Sequence, residues 1–429
     1  MQAKDFSDSC ARIRDAFIQS FQDAQFVNFG VKPLVPEADQ SVIFVGASIS
    51  AFKPFLTNQL VFNQKFDNMV LVQPCLRLHN LNNLLKTPVL QYYSYFNMLG
   101  ALCQPSAEKL TIDALVRFVG QIMTKGIIRA SRQETPYYSI FNNAFSIELD
   151  TRPPEYYSWI FGTKEYIGKG VTLALSNHNK NFWQFSVKDI SKPGAAALPE
   201  NFGTGFQDVG NLIRLYDHSG RHIASEIGLG IETIHQAQSN CASQVESYAY
   251  KSILEKVCSN ASDHFVDSAV TSTIIVQAGV RDENSKRGQL LNKAVRNTVY
   301  TGLIEGMNLD QITRSTDTLN QFLGGSPSNA EDVRKIVEKQ YYAAIKNITN
   351  LGRVLSSPPS SGRDEHSRKK LVKKVMNLAD GEYYIPDVVR DHLLSQKGLV
   401  DPSQNGATPY RPLDRLFQFI QSNPAPIMC

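Results

Sequence analysis

The spacing of hydrophobic positions changes part-way along the chain. "CARIRDAFIQSF" places Ile13, Phe17 and Phe21 four apart, as on one face of an amphipathic helix. Short runs rich in β-branched and aromatic residues follow: "SVIFVGAS", "NMVLVQPCLRL", "LQYYSYFNML", "NAFSIELD", "VTLALS", "NFWQFSV" and "NLIRLYD". These predict strands, and "TIDALVRFVGQIM" predicts one helix among them. The connections vary in length and the helices are few for a doubly wound parallel sheet. An α+β fold is therefore expected, a mostly antiparallel sheet with helices packed on it.

After Ile234 the pattern becomes helical in "QVESYAYKSILEKVC", "DSAVTSTIIVQAGV", "KRGQLLNKAVRNTVYTGLI", "NLDQITRSTDTLNQFL", "AEDVRKIVEKQYYAAIKNITNLGRVL" and "RKKLVKKVMNLA". The fifth of these is expected to open on a capping box, Ser328 with Glu331 three residues on. "SSPPSSGRDEHSRKK", 356–370, reads as an exposed loop, and the segment from Gly398 to Cys429 as a polar tail with one amphipathic turn at "LDRLFQFI". Two domains are expected, 1–235 and 236–429.

Composition narrows the class. With 42% hydrophobic and 20% charged residues, the 429-residue chain is ordinary for a globular protein. A net charge of +4 supplies no global field for nucleic acid, so any such affinity rests on local clusters. The six cysteines, Cys10, Cys75, Cys103, Cys241, Cys258 and Cys429, form no CxxC pair and no zinc-spaced Cys/His cluster, so reduced thiols and no metal motif are expected. The first residues lack a signal-peptide core, and no run reaches the ~18 apolar residues of a membrane span. A soluble, cytoplasmic protein with no membrane contact is the expectation.

Most familiar constellations fail. His218 and His222 have a metal-like spacing, but "YDHSGRHI" reads as a hairpin turn, and residues four apart share a face only on a helix. Neither a GxSxG elbow nor a GxxxxGK[ST] loop occurs. "SEIGLGIETI", 225–234, carries a GxG that fits a tight bend as well as a ligand cradle. In 73–100, Arg77 ends one apolar strand and Tyr92, Ser94 and Phe96 alternate on the next. That unit suits a nucleotide, with the guanidinium on phosphate and the ring on the base; the pattern equally fits a surface Arg77 and a core Phe96. Arg281, Lys286, Arg287, Lys293 and Arg296 cluster at the start of one helix, with Lys286, Lys293 and Arg296 on a shared face. They suit a phosphate backbone or simply a solvated face.

Taken in order, these segments resemble the alanyl-tRNA synthetases, class II aminoacyl-tRNA synthetases, from near Ile13 to about Asp391. "IRDAF" and "KPLVP" resemble the family's first helix and entry to its first strand, and "IFVGASISAFKPFL" resembles "LFTNAGMNQFK" at Phe44, Ala47, Phe52 and Lys53. "QPCLRLHN" with "YFNMLG" is similar to motif 2, "Q-K-C-[IV]-R…H-N-D…F-F-E-M-L-G". "NFWQ" resembles an amino-acid-pocket segment, "GNLIRLYD" resembles "WN-[IL]-V-F-M-Q", and "SEIGLGIETI" resembles motif 3, "VDTGMGLERI". "VRDENSKRGQLLNKAVR" resembles "VMPSNENRGYVLRRIIRR" at the entry to the family's tRNA-recognition domain, and beyond Arg296 the likeness weakens.

The resemblance implies an antiparallel class II sheet followed by a helical tRNA-binding domain. It also implies activation of an amino acid, alanine or another small one, with ATP and Mg2+, and transfer to the acceptor end of a tRNA. By position, Arg77 would grip the α-phosphate and substrate carboxylate, Phe96 would stack on adenine, and Gly230 and Thr233 would face ATP. Trp183 and Ile213 would wall the amino-acid pocket, with Gly228 beside them. Glu226 stands where an aspartate is expected to pair with the substrate ammonium; its extra methylene moves the carboxylate by roughly 1.5 Å. Asn284, followed by Lys286, Arg287, Lys293 and Arg296, would meet the acceptor stem.

Departures from the pattern are equally specific. The motif 3 arginine, expected on the ATP γ-phosphate, is Thr233; such a loss costs on the order of 10²–10³ in rate. In motif 2, Arg-His-His and Glu become Gln91-Tyr92-Tyr93 and Asn97, and the loop after Arg77 is shorter. The Gly-Pro-Cys-Gly-Pro-Cys run is missing, and Val389 stands where an aspartate would partner Asn284. The editing and C-terminal oligomerisation domains have no counterpart in the 429 residues. Three readings follow: a divergent synthetase; an activating enzyme that hands the acyl group to a carrier protein or small molecule; and an inactive paralogue that binds tRNA or protein.

Overall fold

The structure, a computed structural model, describes residues 3–36, 42–57, 67–84, 90, 92–122, 127–130, 146–149, 166–175, 207–217, 222–239, 249–259 and 261–356. The chain forms two compact units, Met1–Leu78 with Gln91–Ala249, and His79–Leu90 with Tyr250–Cys429.

In the first unit, helix α1 (Ala3–Gln22) buries Ile13, Phe17 and Phe21, the predicted stripe. The rings of Phe17 and Phe21 lie 4.5 Å apart, and Phe17 meets Phe118 edge-on at 5.2 Å. Strand β1 (Val27–Val31) leads to helix α2 (Ile49–Thr57), strand β2 (Met69–Leu76) and strand β3 (Tyr95–Cys103); the short helix α3 (Leu78–Asn83), between β2 and β3 in the chain, belongs to the second unit but for Leu78. Then come helix α4 (Glu108–Ile122), strands β4 (Ile127–Ala130), β5 (Ser146–Leu149), β6 (Tyr166–Leu175), β7 (Gln207–Asp217) and β8 (His222–Gly230), and helix α5 (Ile231–Ser239).

Among the described residues these strands make one sheet in the order β1-β2-β3-β8-β7-β6-β4-β5. Pairing is antiparallel except β1 on β2 and β4 on β5. The expected α+β architecture, a largely antiparallel sheet with flanking helices and a helical region after it, is the one observed.

Strand alternation sorts the central strands into two faces. Val70, Val72, Leu99, Ala101, Ile227 and Leu229 pack against α1, α4 and α5. Met69, Leu71 and Leu102 pack against Ile49, Phe52 and Leu56 of α2. Burial of these two apolar layers stabilises the unit by roughly 25 cal/mol per Å² removed from water.

One strand expectation is corrected here, and another is not covered. "SVIFVGAS" forms no strand over 42–48; its Val45 N–H donates to the Leu34 carbonyl at 3.1 Å, and its carbonyl accepts from Leu76 N–H at 2.8 Å. Both edges of β2 are already taken, by β1 and β3, so only its end is left to this segment. "NFWQFSV" lies outside the described residues.

The second unit stacks α6 (Tyr250–Leu254), α7 (Asp263–Gln277), α8 (Lys286–Ile304), α9 (Leu309–Phe322) and α10 (Pro327–Ser356). Helix α7 is buried nearly all round, and hydroxyls tie it to α8: Ser268 to Thr301 at 3.3 Å and Ser272 to Thr298 at 3.0 Å. The cap of α10 is corrected by two residues. Ser326 Oγ accepts from Asn329 N–H at 3.2 Å and Asn329 Oδ1 accepts from Ser326 N–H at 3.0 Å, so Ser328 lies inside the helix. Pro327 sets this start, its fixed φ and missing N–H suiting the first helical position.

Candidate active site

The central strands β2, β3 and β8 bring the predicted residues of the first unit together. In the register, Cys75 faces Phe96, Met98 faces Gly230, Gly100 faces Gly228 and Leu102 faces Glu226. By alternation, Phe96, Met98 and Gly100 therefore share a sheet face with Glu226, Gly228 and Gly230.

Arg77 leaves the end of β2 and folds onto that face. Its N–H donates to the Ser94 carbonyl at 2.8 Å, and its Nη1 donates to the Tyr93 carbonyl at 2.7 Å. The guanidinium carbon lies 3.6 Å from the centre of the Phe96 ring and 5.4 Å from that of Tyr92. Phe96 is only 4% exposed and packs on Val45 and Cys75. The cation and the ring thus occupy one spot, with the guanidinium covering a face of the ring.

On β8, four residues before Gly230, Glu226 is buried, and its Oε1 accepts from Ser48 Oγ at 2.5 Å. Burial pushes its pKa up to about 7, against the opposing pull of the Ser48 bond. Two glycines make room for Ser48: a Cβ on Gly100 would sit 2.6 Å from Ser48 Cβ, and one on Gly228 would sit 3.1 Å from Ser48 Oγ and 3.4 Å from Glu226 Oε1. Ile213 on β7 is the register partner of Glu226, and Trp183 lies outside the described residues.

Thr233 lies in the first turn of α5 and is 5% exposed. Its hydroxyl occupies the space a Cβ on Gly230 would need. Where the resembling motif has a long cation, this chain has a short neutral side chain turned onto its own backbone. The residue before it, Glu232, is buried and bonded to Asn97, with its pKa raised by burial to about 7. Neither Ser48 nor this Asn97–Glu232 pair stood out from spacing alone, although both lie inside the segments that carry the resemblance.

The basic group belongs to the second unit. Asn284 is exposed in the turn before α8, Ser285 caps the helix by accepting from Gly288 N–H at 3.0 Å, and Lys286 and Arg287 are its first two residues. A Cβ on Gly288 would sit 2.9 Å from Glu283 N and closer still to its carbonyl oxygen, so only glycine lets the 281–285 turn fold over the helix. Lys286 is exposed, whereas Arg287, Lys293 and Arg296 are half-buried on the helix surface. Among the described residues, no group of three or more His, Cys, Asp or Glu could hold a metal ion, and no helix is long and apolar enough to cross a membrane.

Comparison with known proteins finds likenesses over the segments that carry these residues. Residues 12–103, which contain Ser48, Arg77, Phe96 and Asn97, match the family model described as tRNA synthetases class II (A). The chain is 21% identical over 377 residues to an alanine–tRNA ligase of Sulfurimonas denitrificans, covering 79% of this chain and 42% of the relative. It is 22% identical over 363 residues to one of Francisella tularensis, covering 76% and 40%. A third, from Desulforamulus reducens, is 19% identical over 330 residues, covering 69% and 35%. The chain thus spans about two fifths of the length of the curated relatives it matches.

Proposed function

We propose, from the premise that this chain is an alanyl-tRNA synthetase-like protein with a class II synthetase domain, that it activates a small amino acid, alanine or a close analogue, with ATP and passes the acyl group to a tRNA. The observation that carries this reading is the shared sheet face. A cation and aromatic ring, Arg77 and Phe96, lie at one end of it, and a buried carboxylate, Glu226, lies towards the other. Gly230, paired with Met98, and Glu226, paired with Leu102, are four strand residues apart, about 13 Å, a span suited to an aminoacyl-adenylate.

In the first step a carboxylate oxygen of the amino acid attacks the α-phosphorus of ATP. The new P–O bond forms as the bond to pyrophosphate breaks. Arg77 leaves the Phe96 ring for the phosphate and carboxylate, where charge gathers, and so uncovers the ring for adenine. Glu226, held by Ser48, receives the ammonium and Gly228 keeps the backbone close; by the resemblance alone, Trp183 and Ile213 would wall the side chain. In the second step a ribose hydroxyl of the tRNA attacks the carbonyl and AMP departs. Asn284, Lys286, Arg287, Lys293 and Arg296 would hold the acceptor stem. Mg2+ would enter with the triphosphate as its counter-ion, and the described side chains offer it no cluster of ligands of their own.

One observation favours a second reading, an inactive paralogue that binds tRNA or protein: Thr233 is neutral and turned inward where a γ-phosphate contact is expected. Aminoacylation decides between them. Incubation with ATP, Mg2+, alanine and total tRNA is expected to give an acylated 3′ end, detected after nuclease digestion, and Arg77→Ala is expected to abolish it. Adenylate formation without acylated tRNA would move the acceptor to a carrier protein or small molecule, and neither product would leave the binding protein.

A further inference from the structure

Beneath the proposed nucleotide site, on the other side of the sheet, lies a closed set of hydrogen bonds. Glu232, 2% exposed at the start of α5, accepts the Asn97 N–H on both carboxylate oxygens at 2.9 Å, and Oε1 also accepts from Asn97 Nδ2 at 2.8 Å. Asn97 Oδ1 in turn accepts from the Tyr95 hydroxyl at 3.2 Å, which fixes which end of the amide faces Glu232. Tyr95 and Asn97 flank Phe96 on β3 and, by strand alternation, point away from the face that carries its ring. Every bond in this set restrains the backbone on which the Phe96 ring stands. The set also ties that strand to α5, the helix bearing Thr233. A carboxylate at position 97, as in the motif this segment resembles, would face Glu232 with like charge; the amide meets it with a donor instead.

We infer that Glu232 is a positioning residue for nucleotide binding, acting through Asn97 to hold the strand on which the Phe96 ring stands. This rests on reading the Arg77–Phe96 face as the nucleotide site. Glu232 touches no substrate; it sets where the ring stands.

A polarity swap in the full chain tests it. Dissociation constants for labelled ATP with Mg2+ are measured by equilibrium dialysis for wild type, Glu232→Gln, Asn97→Asp and the double variant, with melting temperatures alongside. Each single change is expected to weaken ATP binding on the order of tenfold, as a lost buried partner does. The double variant, in which a glutamine at 232 donates to an aspartate at 97, is expected to recover to within about threefold of wild type. Asn97→Ala makes the same comparison without a new charge if Asn97→Asp does not fold. Wild type that binds no ATP removes the nucleotide reading and this inference with it. Wild type that binds while the single variants bind equally well, or melt earlier at unchanged affinity, overturns the inference alone. Loss in both singles with no recovery in the swap overturns it too, since packing damage would not be undone by exchanging donor and acceptor.

Discussion

At the scale of single residues, Glu226 sets the pH response. Its carboxyl, ordinarily near 4.5, is raised to about 7 by burial, and Glu232 behaves alike. Between those values the folded protein keeps protons that the unfolded chain has released. Stability from these groups is therefore greatest below 4.5, falls as pH rises towards 7, and levels off above it, by at most about 3 kcal/mol each. Urea unfolding at pH 5 and pH 8 should show the loss in wild type and a smaller one in Glu226→Gln. An ammonium beside Glu226 favours its charged form, so amino-acid binding should release a proton and tighten as pH rises through 7. Calorimetry in buffers of different ionisation enthalpy reads that proton; no release would place the ammonium elsewhere. Ser48→Ala removes the one hydrogen bond opposing burial and should shift this profile to higher pH.

Elements bring these residues together through register, and glycines make the fit possible. Gly230→Ala would push a methyl group into the Thr233 hydroxyl, shifting the start of α5 and with it Glu232. A loss of about 1–3 kcal/mol, the usual cost of overpacking, is expected in denaturant unfolding, and Thr233→Ala in the same chain should recover part of it. The strands β2, β3 and β7 and the helices α1, α4, α8, α9 and α10 were legible from their hydrophobic patterning, because each buries one face against a core, and α7 from an apolar run that is buried nearly all round. The 42–48 segment misled: its apolar run reads as a strand, but Val45 and Phe44 are buried at a strand end without a ladder to join. In the site, Arg77 with Phe96 was legible as a pair, since they end and begin adjacent runs. The stacking of one on the other was not, nor the Ser48–Glu226 bond, since 178 residues separate those partners and only the fold joins them.

For the whole molecule, the proposed function divides labour between a sheet-based unit for the chemistry and a helical unit with a basic helix start for the nucleic acid. If Lys286, Arg287, Lys293 and Arg296 meet phosphates, tRNA affinity should fall steeply with salt, and Lys286→Ala should shallow the log–log slope by about 1. Filter binding across a salt series measures it; an unchanged slope would place the tRNA elsewhere. Adenylate formation at the Arg77 face would show as ATP–pyrophosphate exchange, measured across a panel of amino acids with and without tRNA. Exchange with alanine or another small amino acid, abolished by Arg77→Ala, is the predicted result; exchange with no amino acid under either condition would contradict it.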